Sequence, residues 1–200
     1  MSRTAIDVSP LPDHAFGQRS VLWWATMGMV AIEGTVFGLL IVTYLYLKGR
    51  NDHWPPGNIL APGLLWGTVN TVILLVSIIP NELTKRAAER FQLRKVQLWI
   101  IVCMVFGLAF NAVRILEFTV LNVSFDSNAY GSIVWALLGF HTVHIVTDWV
   151  DTGVLTVLMF TGPIDEHRFV DVSENAMYWY FVVLSWLPIY ALIYFAPCIA

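Results

Sequence analysis

The sequence predicts an all-α polytopic membrane protein, with five transmembrane helices in one bundle (residues 20–200) behind a short polar tail (1–19). Three observations carry that reading. Five apolar runs, at about 20–47, 60–81, 95–121, 130–160 and 176–198, each reach the roughly 20 residues that a spanning helix needs. Of the 25 charged residues, 20 lie in the tail and the connections between runs. The chain is 58% hydrophobic with mean hydropathy +0.68, and only 12% of it is charged. A soluble domain has about twice that charged share.

A water-soluble chain of 200 residues cannot hide so much apolar surface. A soluble enzyme, a secreted disulfide scaffold, a disordered chain and a nucleic-acid binder are therefore excluded. The runs are too long for barrel strands and do not alternate. Backbone groups in lipid must be satisfied within each segment, so helices are the economical solution. The net charge of -3 implies no polyanionic partner. Cys103 and Cys198 make neither a disulfide framework nor a metal spacing. The polar start, with no small-residue cleavage site, is not expected to be a secretory signal.

Breaks between the runs follow from turn chemistry. Lys48-Gly49-Arg50-Asn51-Asp52 leads into Trp54-Pro55-Pro56-Gly57, which cannot continue a helix. Pro80-Asn81 is expected to close the second helix. Asp126-Ser127-Asn128 separates the third from the fourth, and Gly162-Pro163 ends the fourth. Arg3, Arg19, Lys85, Arg86, Arg90, Arg94, Lys95 and Arg168 fall on one side, against Lys48 and Arg50 on the other. That bias predicts a cytoplasmic N-terminus and an outside C-terminus. Trp23, Trp24, Trp99 and Trp179 are expected at cytoplasmic ends of spans, as an aromatic belt.

Ionisable side chains inside lipid cost about 2.5–3.5 kcal/mol each on insertion scales, so each calls for an account. Helix one carries Glu33 near its middle, with no cation within a turn and with Gly34 and Gly38 forming a GxxxG beside it. An unpaired carboxyl at that depth is expected to be neutral. Two readings stay open: a proton-handling or lipid-contacting carboxyl open to carboxyl reagents, or an acid hydrogen-bonded to a neighbouring helix. Helix three carries Asn111, Arg114 and Glu117 at i+3 steps, and Arg114 is placed to pair with Glu117. Helix four carries His141, His144, Asp148 and Asp151 as one polar stripe. Both stripes must turn from lipid, toward each other or toward another chain. Asp148 and Asp151 are expected nearer the cytoplasmic end.

Two histidines with nearby carboxylates allow a metal site, but interhelical hydrogen bonding explains the same residues, and Arg114 opposes a cation. Membrane haem-copper sites use several histidines on facing helices. Only His141 and His144 lie in the spans; His14, His53 and His167 lie outside. No catalytic residue, bound metal or directly bound cofactor is expected.

The residues also resemble a family. Met27-Gly28-Met29-Val30-Ala31-Ile32-Glu33-Gly34-Thr35-Val36-Phe37 is similar to the buried-glutamate helix of subunit III of haem-copper terminal oxidases, the cytochrome c and quinol oxidases. Trp54-Pro55-Pro56, Asn70-Thr71 and Glu117-Phe118 follow at matching distances, as do Tyr130-Gly131-Ser132, Tyr178-Trp179-Tyr180-Phe181 and Trp186-Leu187. Gly139-Phe140-His141-Thr142-Val143-His144 looks like the family's GFHGxH motif. Thr142 and Asp148 stand where the family often has glycine, and Tyr180 and Val183 where it often has His and Asp. The resemblance covers residues 20–198 and fits a five-helix form lacking the first two of seven helices.

That resemblance implies an accessory subunit of a bacterial plasma-membrane respiratory oxidase. It would bind subunit I, and subunit II nearby, hold structural phospholipid, and support proton uptake and lasting turnover. Haem and copper would lie in the partner. Glu33 would be the family's buried glutamate, His141 and His144 its motif histidines, and Glu117 its helix-three acid. Two other functions remain open: an accessory subunit of a nitric oxide reductase, and a small independent transporter or proton channel.

Overall fold

A computed structural model describes residues 15–60 and 62–198. The expectations that fall on Arg3 and His14 lie outside them. All regular structure among the described residues is helical. Five long helices run in chain order: α1 (Val21–Gly49), α2 (Leu64–Glu89), α3 (Leu93–Thr119), α4 (Ala129–Thr161) and α5 (Glu166–Tyr194). Every one of them is long and apolar enough to cross a membrane. With 26 to 33 residues each, they measure roughly 39–50 Å at 1.5 Å per residue, longer than the roughly 30 Å hydrocarbon layer.

Successive helices alternate in direction. The starts of α1, α3 and α5 share one end with the finishes of α2 and α4. That end carries Lys85, Arg86, Arg90, Arg94, Lys95 and Arg168, and is called the basic end below. α5 packs against α1, α2 and α4, while α3 bridges α2 and α4. α1 rests on α4 and α5 from outside. Only 6% of its apolar stretch is buried, against 44% for α4 and for α5.

Local chemistry sets the helix starts. Ser20 Oγ accepts from the Leu22 N–H at 3.1 Å, Asn128 Oδ1 from Gly131 at 2.8 Å, and Asp165 Oδ1 from Arg168 at 3.1 Å. Each satisfies an orphan donor of the first turn. The α2–α3 turn is tight: Phe91 and Gln92 donate back to Ala88 and Ala87, both at 2.9 Å. It places Phe91 at φ 52°, a left-handed conformation uncommon for a bulky residue. Its ring lies against Phe16 and Phe169, with centroids at 5.6 and 5.3 Å.

Two helices extend beyond the expected bounds at the basic end. α2 does not close at Pro80-Asn81 but runs through Pro80 to Glu89. A proline removes the donor that would bond the carbonyl four residues back, that of Val76, yet the helix continues. The Thr84 hydroxyl donates to Pro80 O at 2.9 Å, and Asn81 Nδ2 reaches across to Ala176 O at 2.7 Å. Beyond it, Glu82–Arg86 (2.5 Å) and Lys85–Glu89 (3.7 Å) pair one turn apart. α5 begins at Glu166, ten residues before the expected start at 176. Trp179 is consequently deep in the bundle, 8% exposed, and not in an aromatic belt.

Lipid supplies little hydrophobic drive for helix association, so close packing and interhelical hydrogen bonds carry more of it. Trp179 Nε1 donates to Ser77 Oγ (2.9 Å) and Trp186 Nε1 to Thr71 Oγ1 (2.8 Å), joining α5 to α2. Trp149 Nε1 donates to Met104 O (3.0 Å) and Gln97 Nε2 to Met159 O (2.8 Å), joining α3 and α4. Gly67 and Gly107 leave room for the rings of Tyr194 and Trp149, which a Cβ at either position would strike.

Candidate functional site

The polar side chains of the membrane-spanning region form two clusters. The first lies one to two turns inside the end opposite the basic one. Glu117 on α3 accepts from three helices: Arg114 Nη1 (2.8 Å) on its own helix, Asn70 Nδ2 (2.7 Å) on α2, and the Tyr194 hydroxyl on α5. Arg114 and Glu117 are each 1% exposed. The guanidinium lies over Trp186 and Phe110, 4.2 and 4.7 Å from the ring centroids.

His141 joins this cluster from α4. Its Nε2 is 3.0 Å from Val182 O, and its Nδ1 is 3.4 Å from Arg114 Nη2. A carbonyl only accepts and a guanidinium only donates. His141 is therefore the neutral tautomer with its proton on Nε2. Its ring also packs on Trp186, with centroids 4.9 Å apart. Asn111 does not take part; its Nδ2 turns back to Gly107 O at 2.9 Å on its own helix.

The second cluster opens on a groove of about 520 Å³ near the basic end, walled by α1, α4 and α5. Glu33 lies in its wall and is not the unpaired carboxyl expected from helix one alone. The Tyr178 hydroxyl of α5 donates to its Oε2 at 2.6 Å, and His144 Nε2 of α4 faces its Oε1 at 3.5 Å. His144 Nδ1 lies 2.6 Å from Phe140 O, so it is the donor there. Nε2 and the carboxyl thus face each other across 3.5 Å, beside the Tyr178 hydroxyl. The side chains of Glu33 and His144 are 23% and 14% exposed, so the pair is accessible from the groove. Of the glycines beside it, a Cβ at Gly34 would meet the Phe181 ring of α5 at 3.6 Å, whereas one at Gly38 would meet nothing within 4 Å. The GxxxG admits an aromatic edge, with no second helix pressed against it.

The stripe of α4 therefore fans out. His141 points toward α3 and α5 and His144 toward α1. Asp151 is exposed in the groove, and Asp148, 4% exposed, lies at its inner wall. Asp171, Glu174 and Arg168 of α5 complete the polar lining, with Arg168 Nη1 3.5 Å from Asp171 Oδ2. Among the described residues no three His, Cys, Asp or Glu side chains converge as a metal would require.

Tyr178, Asn70, Tyr194 and Glu174 belong to these clusters although the α3 and α4 stripes do not point to them. One signal existed for Tyr178. It stands twelve residues into α5 and Glu33 twelve into α1, and both helices start at the same end. Equal depth on helices that start together brings them level.

Fold and clusters define a polytopic helical membrane protein in which the carboxyls of Glu33 and Glu117 tie neighbouring helices together. The match to known proteins is narrower. Residues 48–197 fit the family model described as cytochrome c oxidase subunit III, and the chain belongs to that family. It is 24% identical over 183 residues to cytochrome c oxidase subunit 3 of Thermostichus vulcanus, covering 91% of this chain and 90% of that one. It is 26% identical over 173 residues to the Bacillus subtilis subunit 3, covering 81% and 80%. A probable subunit 3 of Mycobacterium bovis is 25% identical over 191 residues, covering 91% of each.

Proposed function

We propose that this chain serves as the accessory third subunit of a haem-copper terminal oxidase in a bacterial respiratory membrane. It docks on the subunit that bears haem and copper, subunit I, with subunit II nearby, and carries no redox centre itself. Its basic end faces the cytoplasm and α5 ends outside. It retains phospholipid and supports proton uptake and lasting turnover. The observation that carries this reading beyond family membership is the Glu33–Tyr178–His144 cluster. A carboxyl bonded by a tyrosine and faced by an imidazole opens sideways into a groove within the spans, where a lone anchor helix would have no use for it.

The test is gentle purification through a tag on this chain, followed by subunit and metal analysis. A haem-bearing large subunit with copper, recovered in a one-to-one ratio, is the expected result. A stable chain with no haem protein attached overturns the reading. A haem partner with non-haem iron in place of copper reassigns the chain to a nitric oxide reductase. Proton flux through the reconstituted chain alone reassigns it to a channel.

A further inference from the structure

Behind the inner wall of the groove lies a small cavity of about 20 Å³ between α2, α3, α4 and α5. One water molecule needs roughly 10–15 Å³ counted this way. Asp148 lines both the chamber and the groove and is 4% exposed. Its Oδ1 has no hydrogen-bond partner. A second buried carboxyl of the groove, Glu174, also has an oxygen, Oε2, without one.

Several donors around the chamber are already committed. The hydroxyls of Ser77 and Thr84 go to Leu74 O (2.6 Å) and Pro80 O (2.9 Å). The indoles of Trp179 and Trp149 go to Ser77 Oγ and Met104 O. What Ser77 and Thr84 still offer is lone pairs. Of the other polar groups lining it, Asn175 Nδ2 donates to Thr152 Oγ1 (2.8 Å) and Asn81 Nδ2 to Ala176 O (2.7 Å). None of these groups bonds Asp148 Oδ1, which is left to a water in the chamber.

We propose that Asp148 is a proton-exchange site, a carboxyl set in the partition between the groove and a one-water chamber, which trades its proton with water on the groove side. In the forward step a hydrated proton in the groove transfers to the Asp148 carboxylate, leaving water and a neutral acid. The reverse step returns the proton to groove water, and no other bond changes. The titratable and charged groups sharing these spaces are Glu33 from α1, Cys103 from α3, and Asp151 from α4, with His144 one turn away. α5 adds Arg168, Asp171, Glu174 and Tyr178. α2 contributes only the neutral Ser77, Asn81 and Thr84. Arg168 is the only Lys or Arg in that set, and it is paired with Asp171.

Neither step depends on which partner the chain docks against, so the site is testable on the full chain in lipid nanodiscs, with whatever subunits accompany it. Infrared spectra are recorded while the sample is perfused with acidic and then alkaline buffer. The wild-type difference spectrum minus that of Asp148→Asn is expected to contain one neutral-acid C=O band. That band moves with ¹³C-carboxyl aspartate labelling, shifts within the mixing time in D2O, and survives in Asp151→Asn. Asp148→Glu keeps a carboxyl in place should the amide variant fail to fold, and it moves the band from the aspartate-labelled to the glutamate-labelled set. An identical spectrum in Asp148→Asn, a band unmoved by Asp148→Glu, or a band that never exchanges into D2O overturns the proposal.

Discussion

The Tyr178 hydroxyl donates to Glu33 Oε2 across 2.6 Å, a polar tie between α5 and the least buried helix, α1. Hydrogen bonds between membrane helices average about 0.6 kcal/mol and reach about 2. Tyr178→Phe keeps the ring and removes that tie. The purified complex is expected to melt slightly lower, by that order of energy, and α1 amides are expected to exchange hydrogen faster. Unchanged α1 protection by hydrogen-exchange mass spectrometry would show that ring packing alone holds the helix.

Glu33→Gln retains an acceptor for Tyr178 but removes the carboxyl that faces His144. Assembly is expected to stay intact while lipid retention or the lifetime of turnover falls. Lipid quantification by mass spectrometry and activity over many turnovers read both effects. Failure of the subunits to assemble would instead make the Glu33 carboxylate an ion-pair anchor.

Exposure separates the two intramembrane glutamates. Glu33 is 23% exposed to the groove, whereas Glu117 is 1% exposed beneath three donors. An apolar carbodiimide delivered through lipid is therefore expected to modify Glu33 and leave Glu117 unmodified. Peptide mapping checks this, and equal labelling of both would contradict the buried network.

Arg114→Met strands Glu117 among its other donors without a cation. Losing one partner of a buried pair costs about 3–5 kcal/mol, whereas replacing both partners with apolar side chains of similar volume is far milder. Arg114→Met alone should therefore lower the yield of folded chain sharply, and adding Glu117→Met should restore part of it. Size-exclusion profiles and thermal melts of the two variants make the comparison.

Glycine positions supply a matched steric test. Gly67→Ala and Gly107→Ala drive a methyl into the rings of Tyr194 and Trp149, and overpacking of this kind costs about 1–3 kcal/mol. Gly28→Ala and Gly139→Ala meet nothing within 4 Å and are expected to be neutral or slightly stabilising. Melting temperatures of the four variants should divide into those two pairs.

The five spans were legible because lipid requires a long apolar run for each. Their ends at the basic side were not. Pro80 reads as a stop when backbone donors alone are counted, yet α2 continues through it to Glu89, where Asn81 bonds α5 and acid–base pairs one turn apart follow. α5 begins early because Asp165 caps it and its first turns are charged, so hydropathy underestimates its length. The stripes on α3 and α4 were visible as spacings. The α3 partners Asn70 and Tyr194 come from other helices, where a single polar residue in an apolar run does not reveal what it faces. Asn111 shows the converse: on the expected face of α3, it bonds its own backbone instead.

Tyr194 is the last residue of α5, and its hydroxyl joins the donors that α2 and α3 bring to Glu117. A nascent chain that has threaded only α1 to α4 still lacks that bond, with Gly67 facing the space the tyrosine ring will fill. The Glu117 network is therefore complete only when the last span has packed into the bundle, so the end of the chain closes what its middle opens.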